Sequence, residues 1–374
     1  MNIVWILTII GCLVYLQPCC ADLKLVQALF RHGNRMPTKG AAIYPKDPYI
    51  NETYYPEGHG GLSNVGKMSA YKLGQFFRAR YDEFLGPIYS KDIIWFRADE
   101  IDRIVMTGEL VAAGLYPPYK EQIWNDHLNW QPIPVWAPPM STDYLYNGMF
   151  CANFKKWRDE VETTDGRLLK FEQDHTEIYK YLSEHTGANI TQRNTFNLRQ
   201  ILYAQRDIGL ELPEWTESVF PNGKLDELAV QDILIRTRTT KLKQLTGGIW
   251  ILEFLKHVDD YLNQNDKRKA FMYAGHELNI ASILVTLKNF DDEIPSYSSS
   301  LMFELHENDN QHYVQILYRN NGKLRALNIP GCSTAMCPLE TFKNFVAPVL
   351  PQNPAELCGS AEKSVLGVKQ QSNY

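Results

Sequence analysis

Beyond residue 21 the chain has no apolar run long enough to cross a bilayer, and its last stretch, Lys363 to Tyr374, is polar. It has no internal repeat, low-complexity tract or block of like charge, which excludes solenoid, coiled-coil and largely disordered architectures. Charge of one sign is also missing. The 38 Lys and Arg residues against 43 Asp and Glu leave a formal net charge of -5, too little for an acidic tail and of the wrong sign for a nucleic-acid footprint. Cysteine is scarce, and its spacing fits no common zinc motif. The remaining composition, 44% apolar and 12% aromatic over 374 residues, suits a packed protein with one large core or two smaller ones.

The N-terminus stands apart. Ile3 to Leu16 is almost continuously apolar and is broken by Gln17-Pro18. The small residues Cys19-Cys20-Ala21 follow, although no Lys or Arg precedes the run. The run is short for a membrane span and the right length for a signal-peptide core, so a leader over residues 1–21 and an exported mature chain without a span are expected. Of 7 cysteines, Cys12, Cys19 and Cys20 fall in this leader. Cys151, Cys332, Cys337 and Cys358 remain, an even set that allows three disulfide connectivities in an exported chain. Cys332 and Cys337 are the natural local pair, which leaves Cys151 with Cys358. Asn51-Glu52-Thr53 and Asn189-Ile190-Thr191 read as surface glycosylation sequons.

Three apolar stretches read as buried strands: Leu23 to Phe30, Ile93 to Phe96 and Ala270 to Ala274. Each runs into polar residues at its end. Ser63 can cap a helix whose apolar face runs Val65, Met68, Leu73, Phe76, Phe77 and Phe84. Another helix starts near Asp99 or Asp102 and stops at Pro117-Pro118. Residues 137–240 are charged and helix-forming, with few strand signals. Leu301–Leu305 and Tyr313–Leu317 suggest a hairpin. The expected fold is α/β: a mainly parallel central sheet flanked by helices, with a core at about 22–136 and 241–350 and an inserted helical cap at about 137–240. In such sheets the C-terminal strand ends form the binding crevice. Arg31, His32, Arg103, His276 and Glu277 then converge from distant parts of the chain.

Arg31-His32-Gly33-Asn34-Arg35-Met36-Pro37 carries the strongest chemical signal. Arg, His, Gly, Arg and Pro at this spacing arise by chance at about 10⁻⁴ in a chain of this length. The guanidinium forks of Arg31 and Arg35 match phosphoryl oxygens. The positive surroundings of His32 disfavour imidazolium, leaving a free nucleophile in acid. Arg103 adds a third fork, although alone it could equally be a surface ion-pair residue. His276 and Glu277 alone would read as a core histidine and a helix-start carboxylate. Together the set supplies charge neutralisation, an imidazole nucleophile and a carboxylic acid for a departing alkoxide. This chemistry needs no metal or other cofactor.

With these residues, the chain resembles the histidine acid phosphatases, a branch of the histidine phosphatase superfamily, and among them the venom-type acid phosphatases of insects. Tyr44-Pro-Lys-Asp-Pro-Tyr49, Asn129 to Pro134, Tyr273-Ala-Gly-His-Glu277, Tyr297-Ser-Ser-Ser300 and the Gly331-Cys332 and Cys337-Pro338-Leu339 segments support it. The resemblance extends over 22–374. It implies that His32 is phosphorylated, that Arg31, Arg35, Arg103 and His276 bind the phosphoryl group, and that Glu277 replaces the usual Asp as acid. It also implies the pairs Cys151–Cys358 and Cys332–Cys337, and it is compatible with homodimers. Two further departures stand out: Asn34 replaces a frequent acidic residue, and Arg97-Ala98-Asp99 replaces the common Arg-Ser-Thr, so Arg97 receives no catalytic role. The expected activity is hydrolysis of phosphate monoesters in a secreted or lysosomal setting. A phytase or other inositol-phosphate phosphatase shares the same motifs. A catalytically inactive secreted binding protein on the same fold is the reading from another class.

Overall fold

The computed structural model describes residues 21–39 and 44–359; apart from Ala21, the expected leader lies outside them. Strand β1 (Asp22–Arg31) leads to helix α1 (Asn64–Leu85), strand β2 (Ile94–Ala98), helix α2 (Asp102–Leu115) and the short strand β3 (Val135–Trp136). A helical run follows: α3 (Tyr144–Asn147), α4 (Ala152–Thr164), α5 (Gly166–Asp174), α6 (Thr176–Thr186), α7 (Gln192–Asp207), α8 (Lys224–Arg236) and α9 (Thr240–Leu245). The chain then forms α10 (Gly247–Leu262), β4 (Ala270–Gly275) and α11 (Glu277–Thr286). Strands β5 (Ser300–Asn308), β6 (Gln311–Asn320), β7 (Lys323–Ala326) and β8 (Cys337–Pro338) precede α12 (Leu339–Val346) and α13 (Pro354–Cys358).

The sheet order is β3-β2-β4-β1-β5-β6-β7, with β8 beside β6. The first four strands in that order are parallel. Strand β5 reverses direction on β1, and the expected β5–β6 hairpin extends the sheet in antiparallel fashion. Alternation along β1 divides the core. Leu25 and Leu29 join Trp250, Phe254 and Ile280 on one face, while Val26, Ala28 and Phe30 join Leu73, Phe77 and Ile104 on the other. Because both faces are covered, the strands read as continuous apolar runs in sequence. The helical run has its own apolar centre around Leu182, Ile201, Leu202, Phe220 and Leu225.

Ser63 caps α1 as expected, accepting from the Gly66 N–H. The expected apolar face of that helix needs correcting. Val65 and Met68 are 62% and 53% exposed, and the buried face is Gly66, Ala70, Leu73, Gly74, Phe77, Tyr81 and Leu85. The rotation is set by backbone contact: a Cβ on Gly66 would lie 2.0 Å from the Asn34 carbonyl oxygen. Close backbone approach at a glycine thus outranks the two larger apolar side chains. Cys151–Cys358 ties the start of α4 to α13, and Cys332–Cys337 closes a short loop, the expected pairing. Asn51 and Asn189 are exposed. No helix among the described residues is long and apolar enough to cross a membrane.

Candidate active site

Because β1, β2 and β4 are parallel, their C-terminal ends meet at one edge. Strand β1 delivers Arg31 and His32, β2 delivers Asp99 and the start of α2, and β4 delivers His276 and Glu277. The backbones are laced together. His32 N–H donates to Gly275 O at 3.0 Å, and Asp99 N–H to Ala274 O at 3.3 Å. Gly33 is pressed against α1, where a Cβ would lie 2.3 Å from Gly66 O. Gly33 N–H also donates to Thr107 Oγ1 of α2 at 3.2 Å. The N-termini of α1, α2 and α11 therefore border one point, and their dipoles favour an anion there.

His32 is 1% exposed, and its Nδ1 lies 2.8 Å from Gly33 O. A carbonyl only accepts, so the proton sits on Nδ1 and the Nε2 lone pair is free. Burial, then the charges of Arg103, Arg31, His276 and Arg35, hold the ring well below the usual histidine range. It stays neutral in acid.

The three arginines surround this ring. Arg31 is 1% exposed and donates from Nη1 to Pro295 O at 2.7 Å. Arg35 donates to Met36 O at 2.9 Å. Arg103 is pushed down to about 10 by burial and by Arg35, yet it remains charged across the acid range. Arg31 Nη2 and Arg103 Nε are buried with no hydrogen-bond partner among the described residues. A cleft of 440 Å³ opens beside Arg103, lined by Glu57, His59, Lys67, Ile101 and Met106 among others.

Glu277 is the first residue of α11 and is 6% exposed. Its Oε2 lies 2.9 Å from Arg31 Nε, and Gln200 of α7 donates to its Oε1. Burial would raise its pKa, but Arg31, His276, its own N–H and Arg35 outweigh that and hold it at about 2. Paired with Arg31, Glu277 is therefore a carboxylate.

His276 is the N-cap of α11, and its ring accepts from Asn279 N–H. Its Nε2 lies 2.8 Å from Asp99 Oδ2. Both ring nitrogens therefore have partners within the protein. Asp99 is 1% exposed, and Asn147 Nδ2 and Glu100 N–H also donate to it. Burial opposes its ionisation, but the bonds from His276, Asn147 and Glu100 keep its pKa low. Arg97 is spent on Asp143 at 2.7 Å.

Sequence reasoning missed Asp99 as a member of the site, and it missed one face of α7. Gln200, Tyr203 and Asp207 recur at helical spacing. Gln200 meets Glu277, Tyr203 packs 5.4 Å from Tyr297, and Asp207 accepts from Asn34 at 2.8 Å. The departure from Arg-Ser-Thr was the one signal pointing to Asp99. His32, His276 and Glu277 place potential ligand atoms within 4.8 Å of one another. Three guanidinium groups and a carboxylate already paired with Arg31 make that position hostile to a cation and suited to an anion.

The family model for the histidine phosphatase superfamily, branch 2, matches residues 22–319. The chain belongs to this superfamily. A venom acid phosphatase of Apis mellifera is 38% identical to it over 94% of this chain and 92% of that protein. The prostatic acid phosphatase of Bos taurus is 31% identical over 90% of this chain and 88% of that protein. Among solved structures, a Klebsiella phytase superposes with a TM-score of 0.68 at 16% identity, covering 88% of this chain and 96% of that one. The expected α/β fold is thus the fold of this superfamily.

Proposed function

We propose that the chain is an acid phosphatase that hydrolyses phosphate monoesters to an alcohol and inorganic phosphate through a phosphohistidine at His32. One observation carries the reading: a buried neutral imidazole, its proton fixed on Nδ1, inside a ring of three arginines. The phosphoryl oxygens sit on Arg31, Arg35 and Arg103. Nε2 of His32 attacks phosphorus and the ester P–O bond breaks. The 440 Å³ cleft beside Arg103 receives the alcohol portion.

Glu277 protonates the departing alkoxide. It is a carboxylate while paired with Arg31, so the phosphoryl group must change it. A dianion drawn to Arg31 weakens the Arg31–Glu277 pair and adds negative charge, and both effects raise the Glu277 pKa. Water then cleaves the P–N bond, with Glu277 as the base. His276 is the fourth phosphoryl ligand in this reading. Asp99 accepts from its Nε2–H at 2.8 Å and holds the ring in place. Export, glycosylation at Asn51 and Asn189, a helical cap at about 137–240 and a secreted or lysosomal destination complete the proposal. The helical run supports the cap, and the exposed sequons support glycosylation.

The test is an alkaline stop. The pH is jumped up and the chain denatured during turnover of a ³²P-labelled monoester. Acid-labile label should map to His32 and be absent from His32→Ala. A substrate panel comparing phytate with simple monoesters separates the inositol-phosphate reading. A purified chain with no turnover of any monoester would leave the inactive-binder reading standing.

A further inference from the structure

We infer that Tyr297 is a further phosphoryl-binding residue, its hydroxyl donating a hydrogen bond to a non-bridging oxygen of the bound group. The inference rests on the phosphatase reading above and adds a ligand to the same site.

The ring of Tyr297 lies under the charged group of Arg31, 4.0 Å from its guanidinium carbon. It is 5.7 Å from the ring of His32 and 5.4 Å from Tyr203. The segment carrying it is bound to the catalytic strand. Ser298 N–H donates to His32 O at 3.2 Å, and Arg31 N–H donates to Ser299 O at 2.9 Å. Ser298 itself has φ 54, in the left-handed region that serine rarely adopts. Its carbonyl accepts from Arg319 at 3.3 Å, and its hydroxyl meets Ser69 at 2.9 Å. Strained backbone held from several sides characterises residues whose placement matters.

The hydroxyl is the informative atom. It is buried and has no hydrogen-bond partner among the described residues. Buried hydroxyls are normally satisfied, and an unsatisfied one calls for an explanation. The charges acting on it belong to Arg35, Arg31, Glu277 and Asp207, and it acts in turn on Arg103. Burial raises its pKa, against the pull of Arg35 and Arg31, so it remains an O–H donor throughout the acid range. Two more donors nearby also lack partners, Arg31 Nη2 and Arg103 Nε. Three unspent donors around a neutral imidazole make a cradle for one tetrahedral oxyanion, and a phosphoryl group has the acceptors to satisfy them.

Tyr297→Phe removes the hydroxyl and keeps the ring under Arg31, so it isolates the bond. Competitive inhibition by inorganic phosphate and its thermal-shift signal are measured on wild type and variant. The expected result has three parts. The phosphate Ki and the substrate KM rise about tenfold. The ligand-free Tm stays level or rises, because an unsatisfied buried hydroxyl has gone. The Tm rise produced by phosphate shrinks. A phosphate Ki within twofold of wild type overturns the inference, as does a kcat loss that grows with leaving-group pKa at constant Ki, which would place the hydroxyl on the alcohol. A wild-type protein that neither hydrolyses monoesters nor binds phosphate would instead sink the phosphatase reading itself.

Discussion

Asp99 Oδ2 lies 2.8 Å from Nε2 of His276, although 177 residues separate the two in the chain. The contact gives the second histidine two acidic neighbours. One carboxylate follows it at Glu277, and another backs it from the end of β2. Asp99 touches no substrate in the proposed reaction and acts through His276, as a positioning residue. It holds the orientation of the ring through the Nε2 hydrogen bond.

Replacing Asp99 by Asn keeps the shape and removes the charge. The expected outcome is a rise of about tenfold in KM and in the phosphate Ki, equivalent to about 1.4 kcal/mol, with most of kcat retained. Kinetics across pH 4 to 7 check this, and a uniform fall in kcat at unchanged KM and phosphate Ki would reject it.

In the proposed reaction Glu277 sets the acid dependence. With a free-enzyme pKa of about 2, its acid form becomes more populated as pH falls. The kcat/KM of wild type should therefore climb toward acid over the range where His32 remains neutral. In Glu277→Gln that climb should flatten. Turnover of alkyl phosphates should fall about 10²–10⁴-fold, and aryl phosphates with good leaving groups should lose much less. Equal losses for both substrate types would remove Glu277 from the acid role.

His257 offers a pH test away from the site. Its Nε2 lies 2.7 Å from Tyr273 Oη, and its ring stacks on Phe271. Burial lowers its pKa to about 4, against the opposing pull of Glu253. The unfolded chain takes up this proton near pH 6.5, above the folded value. The neutral ring therefore contributes stability above pH 6.5 that is lost as pH falls toward 4, on the order of 3 kcal/mol. His257→Gln loses the stacking and should be less stable at pH 7, but the gap to wild type should narrow between pH 6.5 and 4. Denaturant melts at three pH values decide it; a constant gap counts against the burial argument.

Much of the site was legible because its chemistry is contiguous or sits at strand ends. Arg31 to Pro37 needs no tertiary information to suggest oxyanion binding. Arg103, His276 and Glu277 follow recognisable apolar strands, and parallel pairing brings such ends together. Other features resisted reading for definite reasons. Val65 and Met68 fit an apolar helix face, but the contact between Gly66 and Asn34 turned the helix otherwise. Gln200 and Asp207 looked like ordinary polar positions on a helix, and only packing aims them at Glu277 and Asn34. Tyr297 read as part of a family-like stretch, with nothing to show that its hydroxyl ends unpaired.

The sequence by itself determined which groups are available: a histidine between guanidinium residues, strands that end in charge, and cysteines in even number. Only the tertiary structure decided their protonation and partners. A pKa depends on burial and on charges a few ångströms away, and neither quantity exists until the chain has folded. Glu277 is a carboxylate because Arg31 lies against it, and His32 is neutral because water is excluded and three cations surround it.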